Sequence, residues 1–169
     1  MKNSKKQKSF SKVCGNVHIF AFAAEILYGL AVLLVLLGAL GVPGIKLTDM
    51  ISKWEILPEI IWDTMLLIVF NFMRLIFGKL KRSDTPFLEG VPQKFKAIAY
   101  TLVIGGGAHF FASLILYGCL SLSVSSEELY TAFSFTSGMF MMMIGAVIWG
   151  LAYVFERGCV LQRESDETL

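Results

Sequence analysis

Five polar side chains that could move a proton or hold a polar ligand lie within long apolar stretches of this 169-residue chain: Glu25, Asp63, Asn71, Arg74 and His109. An ionisable group at membrane depth costs about 2.5–3.5 kcal/mol on insertion scales, so such residues turn toward protein or water. At 1.5 Å rise per residue, Glu25 stands about 12 Å and His109 about 18 Å above the boundary marked by the Lys-rich segments. Arg74 starts near that boundary. Glu25 is therefore in reach of Arg74 or His109 as an ionic partner, or of Asn71 as a hydrogen-bond donor. The set reads either as a cluster responsive to protons or ligand, or as a paired group that only fixes helix register. Asp63 and Glu59 lie nearer the opposite surface, where an open vestibule or snorkelling toward water accounts for them.

Cofactor and catalytic chemistry finds little support. One haem between His18 and His109 is excluded by their depths, which differ by roughly 16 Å. Pairing His109 with Met141 or Met142 is closer in depth, but methionine stripes usually pack. Zinc needs three or four ligands in one place, and two histidines with scattered Cys14, Cys119 and Cys159 do not supply them. No G-x-x-x-x-G-K-[ST], G-x-S-x-G or H-E-x-x-H occurs. The expectation is a non-enzymatic protein with no catalytic residue, no metal and no cofactor.

The elements that position these residues are plain in the composition. Hydrophobic residues make up 56% and charged residues 17%, against about 45–50% and about 25% in ordinary soluble proteins. The apolar residues gather into four blocks, each as long as the roughly 20 helical residues that cross a bilayer. Ile26–Leu40 has no charge and only Tyr28 with a polar group, so it has no water-facing stripe. The fold class is all-α, an integral membrane four-helix bundle forming one domain. Its helices are expected at about 17–40, 56–77, 97–122 and 133–155, with a Lys-rich segment at 1–16, a loop at 78–96 and a tail at 156–169.

Orientation follows from the loops, since the excess of Lys and Arg stays on the cytosolic side. Lys2, Lys5, Lys6, Lys8 and Lys12 precede the first block, Arg74, Lys79, Lys81, Arg82, Lys94 and Lys96 border the second loop, and Arg157 and Arg163 lie in the tail. The other side carries only Lys46 and Lys53, with Glu127 and Glu128 in the third loop. Both termini are therefore expected in the cytosol (N-in, C-in), and those three segments form the cytosolic parts. A cleaved signal peptide ending near Ala39-Leu40-Gly41 is the competing reading, but its apolar region would far exceed the usual 7–15 residues or so and would contain Glu25. The basic residues are segregated by loop, so nothing points to direct binding of nucleic acid. Trp54 and Trp62, Tyr100 and Tyr117, and Tyr130 and Tyr153 sit where interfacial belts form.

Small residues mark the helix contacts. Gly138, Gly145 and Ala152 recur every seven residues, on a side shared with Met141, Met142 and Trp149. Gly105, Ala108, Ala112 and Cys119 form a second stripe with His109 at its edge. His18, Ala21, Glu25, Gly29 and Val32 form a third, and Glu59, Asp63, Phe70 and Arg74 a fourth, with Asn71 at its margin. A compact bundle with these faces inward is expected. Gly105-Gly106-Gly107 suits either a tight helix crossing or a helix broken to expose backbone groups.

In the second loop Pro86 ends any extension of the second helix, Phe87 is expected to dip toward the bilayer, and Pro92 suits the first turn of the third helix. The tail extends the fourth helix before fraying. At these two places the chain resembles an uncharacterised family of small bacterial four-helix integral membrane proteins, a domain-of-unknown-function family often encoded beside a helix-turn-helix regulator. The likeness rests on Thr85-Pro86-Phe87 and on Phe155, Gly158, Leu161, Gln162, Asp166 and Thr168, with Glu167 in place of the usual apolar residue. The resemblance implies a multi-pass protein of the bacterial plasma membrane. It further implies a cytosolic loop and tail that dock a soluble partner through Thr85, Pro86, Phe87, Gly158, Leu161, Gln162 and Asp166. The alternative is a small transporter or channel, acting as a homo-oligomer, that uses the polar cluster within the bilayer.

Overall fold

The protein, seen in a computed structural model, is described at residues 2–40, 56–83, 87–120 and 128–168, with side chains at 2–8, 117–120, 128–135 and 166 excepted. Four helices account for almost all of this: α1 (Lys2–Ala39), α2 (Ile56–Leu80), α3 (Val91–Leu120) and α4 (Glu128–Glu167). No strand occurs among the described residues. All four helices are long and apolar enough to cross a membrane, and the chain is a multi-pass membrane protein.

The helices run past the expected bounds wherever good helix formers continue the chain. Lysine favours helix nearly as well as leucine, and α1 begins at Lys2 rather than near residue 17. Its 38 residues measure about 57 Å, nearly twice a bilayer core of about 30 Å. The segment expected as a Lys-rich stretch at 1–16 outside the first span is thus partly a packing element. Cys14 is buried, and the Ser11 hydroxyl donates to the Lys81 carbonyl at 3.2 Å. α4 stays helical to Glu167, where the Thr168 hydroxyl donates to the carbonyls of Glu164 and Ser165. α3 starts six residues before the expected position 97, with Pro92 in its first turn. Gly90 precedes it at φ +84°, a left-handed conformation that glycine adopts without steric cost.

Neighbouring helices are antiparallel. Ser11 meets Lys81 and Gly29 faces Leu67; Met65 meets Gly105; Lys96 meets Glu156 and Gly106 faces Gly138. Both chain ends and the α2–α3 turn therefore lie at one end of the molecule. Among the described residues, close backbone contacts join α1 to α2, α2 to α3 and α3 to α4, and no other pair of helices. This modifies the expected compact bundle: the helices pack as an open series in chain order. Lipid is as apolar as the helix faces, so no hydrophobic force draws α1 and α4 together. The shared core lies along α2 and α3, with Met65, Val69, Ile76, Leu80, Val91, Ile98 and Leu102 joined by Cys14 of α1 and by Met141, Ile144 and Ile148 of α4.

α3 is an unbroken helix through its three glycines. A methyl placed on Gly105 would lie 2.7 Å from Met65 Cγ, and one on Gly106 would lie 2.9 Å from the Gly138 carbonyl. The triplet thus lets α2 and α4 approach from two sides. The buried stripe of α3 differs from the expected one by about one residue. It runs through Ile98, Ala99, Leu102, Gly106, His109 and Ser113, while Ala108 is exposed. On α4, Gly138, Gly145 and Ala152 are buried as expected, but Trp149 is exposed. Its bulk does not fit where α3 and α4 are drawn together by glycines.

Candidate functional site

The polar residues within the membrane fall into two groups instead of one. In the first, α1 and α2 bring Glu25, Asn71 and Arg74 together. Asn71 Nδ2 donates to Glu25 Oε1 at 2.8 Å, and Arg74 Nη2 reaches the same oxygen at 3.4 Å. Arg74 Nε lies 2.6 Å from Glu25 Oε2, but the two are not aligned as donor and acceptor, so this contact is ionic. The guanidinium also sits 5.7 Å from the Phe22 ring. About two turns before Glu25 on α1, His18 Nδ1 lies 3.0 Å from the Arg74 carbonyl, which can only accept, so Nδ1 carries the proton. Helical spacing explains the arrangement. His18 and Glu25 on α1 fall on one face, as do Asn71 and Arg74 on α2. Of the alternative partners for Glu25, the structure selects Arg74 and Asn71.

His109 lies elsewhere. It is 5% exposed on α3 and packs on Trp62 of α2, with ring centroids 5.1 Å apart. Its Nδ1 has no hydrogen-bond partner, nor does the hydroxyl of Ser113 one turn further on, which is 2% exposed. Asp63, next to Trp62 on α2, is half-buried. Trp62, placed by its sequence in an interfacial belt, is half-buried against the His109 ring. Ser113 was not singled out from the sequence, although its i+4 spacing from His109 is the signal that finds it.

No group of three or more His, Cys, Asp or Glu side chains converges among the described residues. The cysteines that can be described, Cys14 and Cys159, are free.

The second candidate region is at the end that holds the α2–α3 turn. Thr85 and Pro86 lie outside the described residues, as does the side chain of Asp166. Phe87 packs against the extension of α4. Its ring lies against Gly158, at a distance that leaves no room for a side chain there, and 5.9 Å from the Phe155 ring. Phe155 in turn stacks on Phe95 at 5.1 Å. The Cys159 thiol faces the Leu88 carbonyl at 3.7 Å, and Lys96 bridges Glu156 at 2.9 Å. The turn after α2 and the extension of α4 therefore make one surface. It encloses a cleft of about 350 Å³ bordered by Glu89, Gln93, Cys159, Val160 and Arg163. Leu161 projects beyond it, exposed, and Gln162 is half-buried. The aromatic contacts among Phe87, Phe95 and Phe155 were not read from the sequence, because their separation in the chain gives no periodic signal.

The chain matches no family model, no curated protein and no solved structure.

Proposed function

We propose that the chain is a non-enzymatic regulatory or interaction protein of a bacterial cell membrane, with both termini and the α2–α3 turn in the cytosol. Its turn and its α4 extension dock a soluble partner. The observation that carries this reading is the seat of Phe87 on Gly158. Two segments separated by a whole membrane hairpin are joined there into one surface, and α4 continues past it as a helix with Leu161 exposed. The distribution of Lys and Arg supports the cytosolic placement. A helix-turn-helix regulator is the partner that the family resemblance suggests, and an exposed apolar side chain on a helix is a suitable anchor for such a domain.

Co-purification in mild detergent tests the reading. A helix-turn-helix protein identified in the wild-type preparation and lost on Leu161→Asp supports it, provided the variant elutes as the wild type does. Recovery of no such protein after crosslinking in cells contradicts it.

The second reading, a small transporter or channel, draws its support from the unpartnered polar atoms of His109 and Ser113 at membrane depth. Solute or proton flux into liposomes that is lost on His109→Ala or Glu25→Gln would favour it over docking.

A further inference from the structure

A second cleft, of about 580 Å³, opens between α3 and α4 where their apolar stretches end. Toward the α2–α3 turn, Lys96 is the last charged side chain of α3 before an uncharged run to Ser126, and Glu156 is the first on α4 after Phe155. The cleft thus sits at the boundary between hydrocarbon and headgroups. Its walls are three aromatic rings, Tyr100, Trp149 and Tyr153, each more than half exposed, and Tyr153 already carries Arg157, whose guanidinium lies 5.5 Å from its ring and donates to its hydroxyl at 3.1 Å. Tyr100 and Trp149 lie 6.5 Å apart at an interplanar angle of 45°. Its floor is open at Gly150, where an added methyl would touch nothing within 4 Å.

Charge at the mouth is of both signs. Lys96 Nζ reaches Glu156 Oε1 at 3.1 Å and Oε2 at 2.9 Å. An ammonium has three N–H donors, so at least one stays available. Each Glu156 oxygen likewise keeps acceptor capacity, and both side chains remain partly exposed. Such a pair attracts a ligand with its own two opposite charges, laid antiparallel so that signs alternate. Aromatic faces favour the cationic end, and a carboxylate favours a cation that can donate hydrogen bonds.

We infer that this cleft binds the headgroup of an ethanolamine phospholipid, with its phosphate on Lys96 and its ammonium between Glu156 and the Trp149 ring. The acyl chains run on along the apolar sides of α3 and α4. A choline headgroup offers the rings a cation but gives Glu156 no N–H donor. A glycerol headgroup brings a negative charge toward Glu156 and nothing for the rings. This site goes beyond the docking reading and stands or falls without it.

Trp149 reports on its own cleft. In the full-length chain with Trp54→Phe and Trp62→Phe, Trp149 is the remaining tryptophan of three. The protein is reconstituted into bilayers with a minor fraction of brominated ethanolamine, choline or glycerol phospholipid, whose bromines quench indole on contact. The ethanolamine lipid should reach half-quenching at a mole fraction about threefold lower than either other lipid, the size of effect that one exposed ionic hydrogen bond to Glu156 supplies. Gly150→Leu, which fills the floor without meeting protein, should abolish that preference and leave the protein folded. Lys96→Gln with Glu156→Gln should abolish it as well. Equal quenching by the three headgroups, a preference for choline or glycerol lipid, or an ethanolamine preference that survives Gly150→Leu would each overturn the inference.

Discussion

The two hairpins of this protein are fastened by opposite means. α1 and α2 are joined by polar side chains: Glu25 with Arg74 and Asn71, His18 on the Arg74 carbonyl, and Ser11 on the Lys81 carbonyl. α3 and α4 are joined mainly by the lack of side chains, with Gly106 against Gly138 and Gly145 against the Ala99 carbonyl and Leu102, and the Lys96–Glu156 pair links them only near one end. Lipid supplies no hydrophobic drive for helices to meet, so both devices are what the solvent permits. They differ in how they fail. A polar contact can be traded for another partner, whereas a glycine crossing has no room for an added atom.

The largest effect should therefore come from the second hairpin. A methyl on Gly138 would lie 2.8 Å from the Gly106 carbonyl, which is backbone and cannot swing aside. Gly138→Leu is expected to destabilise the α3–α4 pair by about 3 kcal/mol, at the upper end of overpacking costs. A steric-trap or thermal-aggregation assay in detergent measures it.

Glu25→Leu is expected to cost somewhat less, about 2 kcal/mol, because it leaves the Arg74 guanidinium unpaired. The value is set below that of a fully buried pair, since Arg74 and Glu25 side chains keep 31% and 20% of their exposure. Adding Arg74→Leu should recover most of the loss. If the double variant is as unstable as Glu25→Leu alone, the pair is not what joins α1 to α2.

Asn71→Leu removes one hydrogen bond to Glu25 and should cost about 0.6 kcal/mol, the average for such bonds in membranes. At the small end, Ser113→Ala should change stability by less than about 0.5 kcal/mol in the same assay, because the buried hydroxyl has no partner to lose. A large loss there would reveal a partner for Ser113 and place a third fastening between the hairpins.

These contrasts were partly legible in the sequence. The seven-residue recurrence of Gly138, Gly145 and Ala152 located the α4 crossing, because a repeat of small residues has no other use on an apolar helix. The alignment of His18, Ala21, Glu25 and Gly29 located the face of α1 toward α2. Which partner Glu25 takes was not legible, since depth alone allowed His109 as well as Arg74. The choice depends on which helices touch, and α1 does not closely approach α3. The open order of the helices was hidden for the same reason: periodicity gives each helix a face but not the neighbour that covers it. The seat of Phe87 on Gly158 was hidden too, since a glycine after the membrane span reads equally as a helix end or as a space for a ring.

The proposed topology has four crossings that bring both chain ends and the α2–α3 turn to the same, cytosolic side. Single cysteines at Lys12, Lys81 and Ser165, in a chain with Cys14, Cys119 and Cys159 replaced by serine, test this directly. The account predicts that a membrane-impermeant maleimide applied to intact cells labels none of the three, and labels all of them once the membrane is opened. Labelling of any one of them in intact cells would contradict it.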